Sequence, residues 1–492
     1  MRKLITPAVK LKLLFTCLLA LLLLTACGDN GNDETDIPHD LLDIARERRL
    51  NIIANRPTHE QLLALTQGRE PETIDLTQFV SGNTGQSITA AEAIEDVELF
   101  FTVLRQVYGP YIYFGGDTVF APIFDEIIAE IATHETILPF QLENMIYHAL
   151  NPVVNDNHFV FGNNRFGQSA NFFTSAVPFD RDERGFIHRA SGRVVAEIEG
   201  RDMYDVLRLS MDEQGNVFYS AVIYELGPAG MARRNLSIVF EGGDSMTLPL
   251  EQHRTTWPPF TPPSLEWVDG VPVVALMSMG FTMDGEFSLN YLETFLTFVE
   301  EIRHEPVVIV DLRHNWGGSN SMARLWLHNL ARELVPQNFT GLFRHEYNAM
   351  IESWEEMQGY FSADELIFLT EIAPLDAAHI IFYDKRNVEI VESGQLIIML
   401  IDRLTFSAAE SFTDAMFSMA NTLVVGQNTY GGLIGRSNLM QTLPNSGIDF
   451  IMGSALHVFA EGLYTEGVGI APDVWVHGDA LAAALALLAN ND

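Results

Sequence analysis

The chain has 492 residues, and its 65 acidic and 29 basic side chains give a formal net charge of -36 at pH 7. This charge argues against a polyanion such as nucleic acid as a partner, because the two would repel each other. The length predicts two or three domains, and a hydrophobic content of 47% is enough to fill sizeable cores.

The N-terminus has the pattern of a secretory signal. Four basic residues precede an apolar run from Leu13 to Leu24, which continues into "LTAC" at 24–27. The run is too short to span a bilayer comfortably. Its end at Cys27 resembles a bacterial lipobox, which implies a signal peptide over 1–26 and a lipid on the Cys27 thiol. An uncleaved anchor helix is the alternative. Either form predicts an extracytoplasmic protein held at the bacterial cell membrane.

Residues 27–86 are assigned to the lipidated cysteine and a tether or linker. The stretch "GDNGNDETD" at 28–36 is acidic and has no apolar side chain, which is typical of a solvated segment. Short amphipathic pieces follow it. We find no second apolar segment of about 18 residues, so the sequence predicts no further membrane span.

Residues 87–164 predict an N-terminal helical domain. Thr89 and Glu92 have the spacing of a capping box, and the apolar residues after them recur with helical periodicity. "FDEIIAEIA" and "FQLENMIYHAL" predict two further helices. The domain ends in "NPVVNDNHFVFG".

Residues 165–262 predict a β-rich middle module, because short apolar runs such as "VFYSAVIYEL" alternate with Gly, Asp and Asn turns. "WPPFTPP" at 257–263 predicts a stiff linker. In 263–480, apolar strands such as "QLIIMLID" alternate with amphipathic helices, which predicts a layered α/β domain. Residues 481–492 are assigned to a C-terminal tail.

The stretch "LTFSAAE" at 404–410 places Ser407 between a predicted strand and a predicted helix. Serine is among the commonest helix N-cap residues, so a purely structural role is the simplest interpretation. A side chain at this junction can also point into a cleft at the carboxyl end of the sheet. There the helix dipole and the amide of Ala408 favour a developing oxyanion.

"DLRHNWGGSN" at 311–320 leaves another predicted strand and enters a helix through Gly317 and Gly318. Paired glycines allow a turn with exposed N–H groups and no Cβ in the way. Either glycine is a candidate for the second oxyanion donor. Such a turn is also common before a helix as a purely structural feature.

Five fragments together carry a family resemblance: "DLRHNWGG", "TFSAAE", "VVGQNTYGG", "LPNSGI" and "EGVGIAPDV". Their order and spacing resemble the tail-specific, or C-terminal-processing, serine peptidases, including the tricorn-core branch. The resemblance implies a ClpP/crotonase-like α/β core for 263–480. It also implies a middle module that is PDZ-like or a divergent β domain.

Many members of that family use a lysine as the base, in a "GEKT"-like stretch. This chain has "GQNT" there, and Asn428 stands at the position of the lysine. Without the signal peptide, Lys385 is the chain's only lysine, and it lies in the polar turn "YDKRN". A lysine base needs desolvation to lower its pKa, whereas this polar turn is expected to be exposed, so the sequence argues strongly against a Ser–Lys dyad.

The resemblance to the tricorn-core branch instead implies a triad of Ser407, His158 in "NDNHF" and Glu466 in "YTEGVGIAPD". Imidazole would take the hydroxyl proton, and the carboxylate would orient it. His314 and His457 are rival bases, and Glu461 is a rival acid. Glu410 is assigned a structural role. Asp311 and Arg313 are expected to brace the glycine turn.

These features predict a serine endopeptidase that acts on extracytoplasmic peptides or proteins through an acyl-enzyme. It would need no cofactor, since no metal-ligand spacing and no phosphate-binding loop is present. Two alternatives stay open: a catalytically inactive surface lipoprotein that binds peptides, and an esterase that uses the same serine. The oligomeric state is left open.

Overall fold

A computed structural model of the protein describes residues 39–65, 79, 85–227, 233–286, 288–333, 335–344, 372–376, 379–382 and 390–490. All of these residues belong to one compact unit. Cys27 and Lys385 lie outside the described residues.

The helices of the described ranges are α1 (His39–Ala54), α2 (His59–Ala64), α3 (Ala90–Gln106), α4 (Asp117–Ile131), α5 (Pro139–Leu150), α6 (Met203–Val206), α7 (Leu289–Ile302), α8 (Asn320–Ala331), α9 (Ala408–Met416) and α10 (Ala480–Ala489). The strands of the N-terminal half are β1 (Ile88–Thr89), β2 (Thr136–Ile137), β3 (Val160–Phe161), β4 (Asn164–Arg165), β5 (Ala170–Asp182), β6 (Gly185–His188), β7 (Arg193–Ile198), β8 (Leu207–Met211), β9 (Val217–Leu226), β10 (Arg233–Phe240) and β11 (Ser245–Gln252). The strands of the C-terminal half are β12 (Ser264–Val268), β13 (Val271–Ala275), β14 (Val307–Asp311), β15 (Phe339–Arg344), β16 (Ile372–Asp376), β17 (His379–Phe382), β18 (Leu396–Ile401), β19 (Thr422–Gly426), β20 (Gly435–Thr442), β21 (Asp449–Phe459) and β22 (Val474–Val476).

The predicted helices of the N-terminal region are present. The side chain of Thr89 accepts from the Glu92 N–H, and Glu92 Oε2 accepts from the Thr89 N–H at 2.7 Å, so the capping box starts α3 as predicted. The apolar faces of α3, α4 and α5 do not enclose a core of their own. They share one with β20 and β21, for example through Phe100 and Phe450, whose ring centroids are 5.3 Å apart.

The core sheet is parallel from β13 through β14, β18 and β19 to β22, with β12 antiparallel at one edge. All six residues of β18 are buried. Continuous apolar runs are typical of parallel strands that are covered on both faces. Here α7, α8 and α9 cover one face, and α1 and α10 cover the other. The α/β fold class predicted from the alternating pattern is therefore confirmed.

The middle region contains a closed antiparallel barrel. Strands β5, β6, β7, β10 and β11 pair in sequence, and β11 pairs back onto β5. The module is not separated from the core, because β8 extends the sheet and pairs in parallel with β22 through Trp475 and Ser210. The β-rich character is confirmed, and the PDZ-like relationship stays a prediction.

Two segments differ from the roles that the sequence predicted. Within the assigned tether, α1 packs on the core, and Arg49 forms a buried ion pair with Asp473 at 3.0 Å. In the assigned tail, α10 buries Ala483 and Leu487 against the sheet. Both segments are part of the folded core, because their apolar side chains cover a face of the parallel sheet that would otherwise be exposed to water.

None of the described helices is both long enough and apolar enough to cross a bilayer.

Candidate active site

Ser407 lies at the junction between the carboxyl end of the core sheet and α9. Its backbone has φ 57° and ψ -117°, a conformation that L-residues rarely adopt. Strained non-glycine residues of this kind persist where the surroundings hold them, and they cluster at functional sites. The constraint here is Glu410, which accepts from the Ser407 N–H at 2.9 Å.

Glu410 is fully buried and connects the serine to a second loop. Its carboxylate also accepts from the hydroxyl of Thr429 and from the N–H groups of Gly431 and Gly432, at 2.6, 2.8 and 2.9 Å. Burial raises the pKa of Glu410. The structural role that the sequence assigned to Glu410 agrees with these four contacts.

His158 follows α5 in a turn and precedes β3. Its Nε2 lies 2.9 Å from Oγ of Ser407, although the two residues are 249 positions apart. The imidazole stacks on Phe406, with ring centroids 4.8 Å apart. The backbone N–H of His158 donates to Asp156 at 2.8 Å, which holds the residue in its turn. Phe159, next in sequence, is fully buried and anchors the turn in the core.

The two loops that the sequence singled out are held together by polar contacts. Asp402, directly after β18, accepts from the N–H of His314 at 3.0 Å and from the N–H of Leu404 at 2.9 Å. The Phe406 N–H donates to the carbonyl of Asn315 at 2.8 Å. Because β14 and β18 are adjacent and parallel, their following loops meet at one sheet edge.

Gly317 lies directly beside the nucleophile. It has φ +95°, and a Cβ added to it would come within 2.7 Å of Ser407 Cβ and 3.0 Å of the Ala408 nitrogen. The Gly317 N–H is not free, because it donates to Asn315 Oδ1 at 2.9 Å. Among the described residues, the N–H groups of Gly318 and Ala408 have no hydrogen-bond acceptor. Of the three predicted oxyanion donors, the N–H groups of Gly318 and Ala408 are therefore available. Gly317 contributes through its lack of a side chain, which leaves room beside Ser407.

Glu466 does not contact the imidazole. It is buried, and its carboxylate accepts from the N–H of Asn157 at 2.7 Å, from the N–H of Ile434 at 3.0 Å and from the Tyr464 hydroxyl. His158 Nδ1 is buried and has no hydrogen-bond partner among the described residues. The predicted contact between Glu466 and imidazole is therefore replaced by contacts to the backbone of the turn that carries His158.

The electrostatic environment keeps imidazole neutral. Burial, together with the positive charges of Arg165 and Arg436, lowers the pKa of His158 to about 3. Burial raises the pKa of Asp156 to about 6, and burial and the Asp156 charge raise the pKa of Glu466 to about 8. Burial thus favours the protonated form of both carboxyl groups.

The rival candidates are engaged elsewhere. His314 Nε2 lies 3.1 Å from Asp402. His457 stacks on Phe339 at 4.1 Å. Glu461 and His457 line a separate cavity of about 380 Å³. The amide of Asn428 donates to the carbonyl of Val468, so the position of the family's lysine holds no base.

The predicted bracing residues form a tight pair. Arg313 binds Asp311 at 2.6 Å and Asp479 at 2.9 Å. The pair thus connects the end of β14 to the start of α10. It braces the loop from its base, as the sequence predicted, through a contact with α10 that the sequence did not indicate.

A cleft of about 440 Å³ opens beside Ser407. Its lining is mostly aromatic and glycine-rich, and it includes Trp257, Phe281, Trp316, Phe406, Tyr430 and Arg165. Trp257 belongs to the predicted linker, and Arg165 follows the predicted histidine motif. Sequence reasoning missed both, because single aromatic or basic residues in irregular segments carry no periodic signal.

A serine in a strained junction, a neutral imidazole at hydrogen-bond distance and the unpaired N–H groups of Gly318 and Ala408 are the components of an acyl-transfer site of the serine hydrolase class. Within the described residues, no cluster of His, Cys, Asp and Glu could hold a metal ion.

A family model matches the C-terminal part of the chain. Residues 285–476 match the model of Peptidase family S41. This range contains Ser407, both candidate oxyanion glycines and Glu466, whereas His158 lies before it. This part of the chain therefore resembles the tail-specific or C-terminal-processing proteases, and the match supports a serine-type peptidase. No curated protein matches the chain.

Solved structures are similar to the chain at low identity. Mature CPAF is 14% identical over 82% of this chain and 98% of its own, with a TM-score of 0.42. The photosystem II D1 C-terminal processing protease is 16% identical over 79% and 94%, with a TM-score of 0.36. A lipoprotein from Streptococcus agalactiae is 12% identical over 84% and 100%, with a TM-score of 0.38.

Proposed function

We propose that the protein is a serine endopeptidase that cleaves extracytoplasmic peptides or proteins through an acyl-enzyme, with Ser407 as nucleophile and His158 as base. The observation that carries the proposal is the 2.9 Å distance between His158 Nε2 and Ser407 Oγ at the strained start of α9. Nucleophile and base within hydrogen-bond reach are the minimum geometry for this chemistry.

The steps follow from the positions of the atoms. His158 Nε2 accepts the hydroxyl proton, which requires the ring proton to be on Nδ1. Ser407 Oγ attacks the peptide carbonyl carbon, and the carbonyl oxygen gains charge beside the N–H groups of Gly318 and Ala408. The imidazolium then gives its proton to the leaving amine. Water then gives a proton to His158 Nε2 and adds to the acyl carbon. The bond to Ser407 Oγ breaks, the carboxylic acid half of the substrate leaves, and the imidazolium returns the proton to Oγ.

Glu466 acts as a positioning residue. It binds the N–H of Asn157, directly before His158, and the N–H of Ile434, directly before β20. These bonds tie the histidine turn to the neighbouring loop.

A fluorophosphonate probe tests the nucleophile and the base together. The phosphonyl group is expected on Ser407, where mass spectrometry of the digested protein would locate it. Because His158 is neutral down to about pH 3, the labelling rate is expected to change less than about twofold between pH 7.5 and 5.5. An imidazole of ordinary pKa would lose about tenfold over that range, since only its neutral form accepts a proton.

Two results would contradict this prediction. A phosphonyl group on another serine would remove Ser407 from the mechanism. A labelling rate that falls tenfold by pH 5.5 would mean that Asp156 and Glu466 outweigh Arg165 and Arg436 around the imidazole. The rate would be measured on the full-length protein in detergent, with circular dichroism at each pH as the control for folding.

The location is a separate part of the proposal. A basic start, a short apolar run and Cys27 support a lipid anchor on the outer side of the bacterial cell membrane. Expression in bacteria is expected to give a mature chain that begins at residue 27 and carries a lipid on the cysteine, detected by mass spectrometry. Cys27→Ala should prevent the lipid mass, and an unprocessed N-terminus in the wild type would refute the anchor.

A further inference from the structure

A second cavity, of about 380 Å³, lies apart from the catalytic cleft. Its walls come mainly from the turn between α3 and α4, from the turn that carries His158, and from the segment between the end of β21 and Glu466. It shares no lining residue with the cleft beside Ser407. A cavity of this volume is large enough to hold a small organic molecule.

Four aromatic side chains line this second cavity: Tyr113, Phe114, Phe459 and Tyr464. The rings of Phe459 and Tyr464 are stacked, with their centroids 4.3 Å apart. Those of Tyr113 and Phe114 meet edge to face, with their centroids 5.1 Å apart. Tyr113 is 53% exposed, so it lies at the opening of the cavity. The faces of aromatic rings attract cations, because the ring quadrupole is negative there.

The acidic residues of the cavity add to this preference for a cation. Glu461 lines the cavity and is exposed, so its carboxylate lies at the opening. Glu466 is a buried part of the wall. None of the described residues that line the cavity is a lysine or an arginine. A positively charged ligand would therefore meet carboxyl groups and ring faces, and no basic side chain in the lining would repel it.

His457, which also lines the cavity, does not oppose a cation, because its ring is neutral. Burial, together with the charge of Arg436, lowers the pKa of His457 well below its usual value. Its Nδ1 is buried and has no hydrogen-bond partner among the described residues. Buried polar atoms are normally paired, and a hydroxyl group on a ligand can pair with either tautomer of this nitrogen.

We propose that this second cavity binds a small organic cation, an amine or a quaternary ammonium compound that carries a hydroxyl group. The aromatic rings contact the carbon atoms around the charged nitrogen, and the Glu461 carboxylate lies on the solvent side of the charge. The hydroxyl group pairs with His457 Nδ1. This site is separate from the proposed peptidase function, because it uses none of the residues of the catalytic cleft.

The test uses two ligands that differ only in charge. Choline and 3,3-dimethylbutan-1-ol have the same shape, but the second has a carbon atom in place of the charged nitrogen. Their binding to the full-length protein would be measured by ligand-detected NMR titration, in a detergent with an uncharged sugar headgroup. Choline is expected to bind at least about fivefold more tightly than the alcohol, because contact with desolvated ring faces favours the cation.

Variants assign the preference to the second cavity. Phe459→Leu removes a ring face and Glu461→Gln removes the charge at the opening, so in each the ratio of the two affinities is expected to fall towards one. Glu301→Gln removes an exposed carboxylate on α7 and is the matched control, which should keep the wild-type ratio. Trp257→Leu removes a ring from the catalytic cleft and should also keep it. Circular dichroism of each variant is the control for folding.

Two results would overturn the cation site. Equal affinities for choline and the neutral alcohol would show that charge plays no part in binding. A preference that survives Glu461→Gln and Phe459→Leu but disappears in Trp257→Leu would move the cation to the catalytic cleft. Tighter binding of Nα-acetyl-lysine methylamide than of choline would keep the site but assign it to a basic side chain of a protein. None of these measurements involves peptide cleavage, so the proposed function is tested separately.

Discussion

Replacing Ser407 by alanine is expected to lower kcat for peptide hydrolysis by about 10⁴–10⁶-fold, because among the described residues no other hydroxyl is hydrogen-bonded to the His158 imidazole. His158→Ala should cost a similar factor. The double variant should be no worse than either single variant, since a nucleophile without its base and a base without its nucleophile are equally inactive. Single-turnover rates with one peptide would measure all three.

Matched variants keep this prediction testable. Ser411 lies one turn further along α9, where its hydroxyl accepts from Asn320 at 3.3 Å, so Ser411→Ala should keep kcat within an order of magnitude. Activity that survives His158→Ala and disappears in His457→Ala would transfer the base role to the rival histidine. Additive losses in the double variant would show that the two residues do not act as one unit.

Replacing Glu410 by alanine is expected to lower the free energy of unfolding by about 3–5 kcal/mol. The buried carboxylate accepts four hydrogen bonds, and its removal would leave the N–H groups of Ser407, Gly431 and Gly432 without an acceptor. The strained backbone at Ser407 would lose its constraint at the same time, so the labelling rate should fall along with stability.

Urea unfolding and fluorophosphonate labelling of the same preparation would measure both effects. Glu410→Gln keeps the size of the side chain but turns an NH₂ group towards N–H donors, so it should be damaging as well. Glu461→Ala removes an exposed carboxylate and is the control, with an expected change within about 0.5 kcal/mol. A Glu410→Ala protein of wild-type stability would mean that other acceptors take over the freed donors.

Much of the core architecture was predictable because its signals are local. The apolar run "LIIMLI" and the helix after Ser407 could be located from hydrophobic periodicity, and Thr89 with Glu92 marked the start of α3. The residues that produce these signals are only a few positions apart in the sequence. The module boundaries were less predictable, because β8 pairs with β22 and α3 packs on β21, and such long-range contacts leave no local pattern.

The candidate site likewise contains residues that the sequence indicated and others that it did not. Ser407 and the glycine pair lie in short motifs at the carboxyl ends of parallel strands, where binding sites of α/β proteins are expected. The role of Glu466 differed from the prediction, since a motif indicates that a carboxylate is near the site but not which hydrogen-bond donors reach it. Arg165 and Trp257 were missed for lack of any motif.

The sequence by itself determined the α/β class, the order of the core strands and helices, the absence of a lysine base and the identity of the candidate nucleophile. The tertiary structure decided that His158 reaches Ser407 across 249 positions, that Glu466 holds the histidine turn rather than the ring, and that Arg165 faces the cleft. The physical reason is that periodicity and capping depend on neighbours along the chain, whereas hydrogen bonds within a site depend on how separate loops pack together.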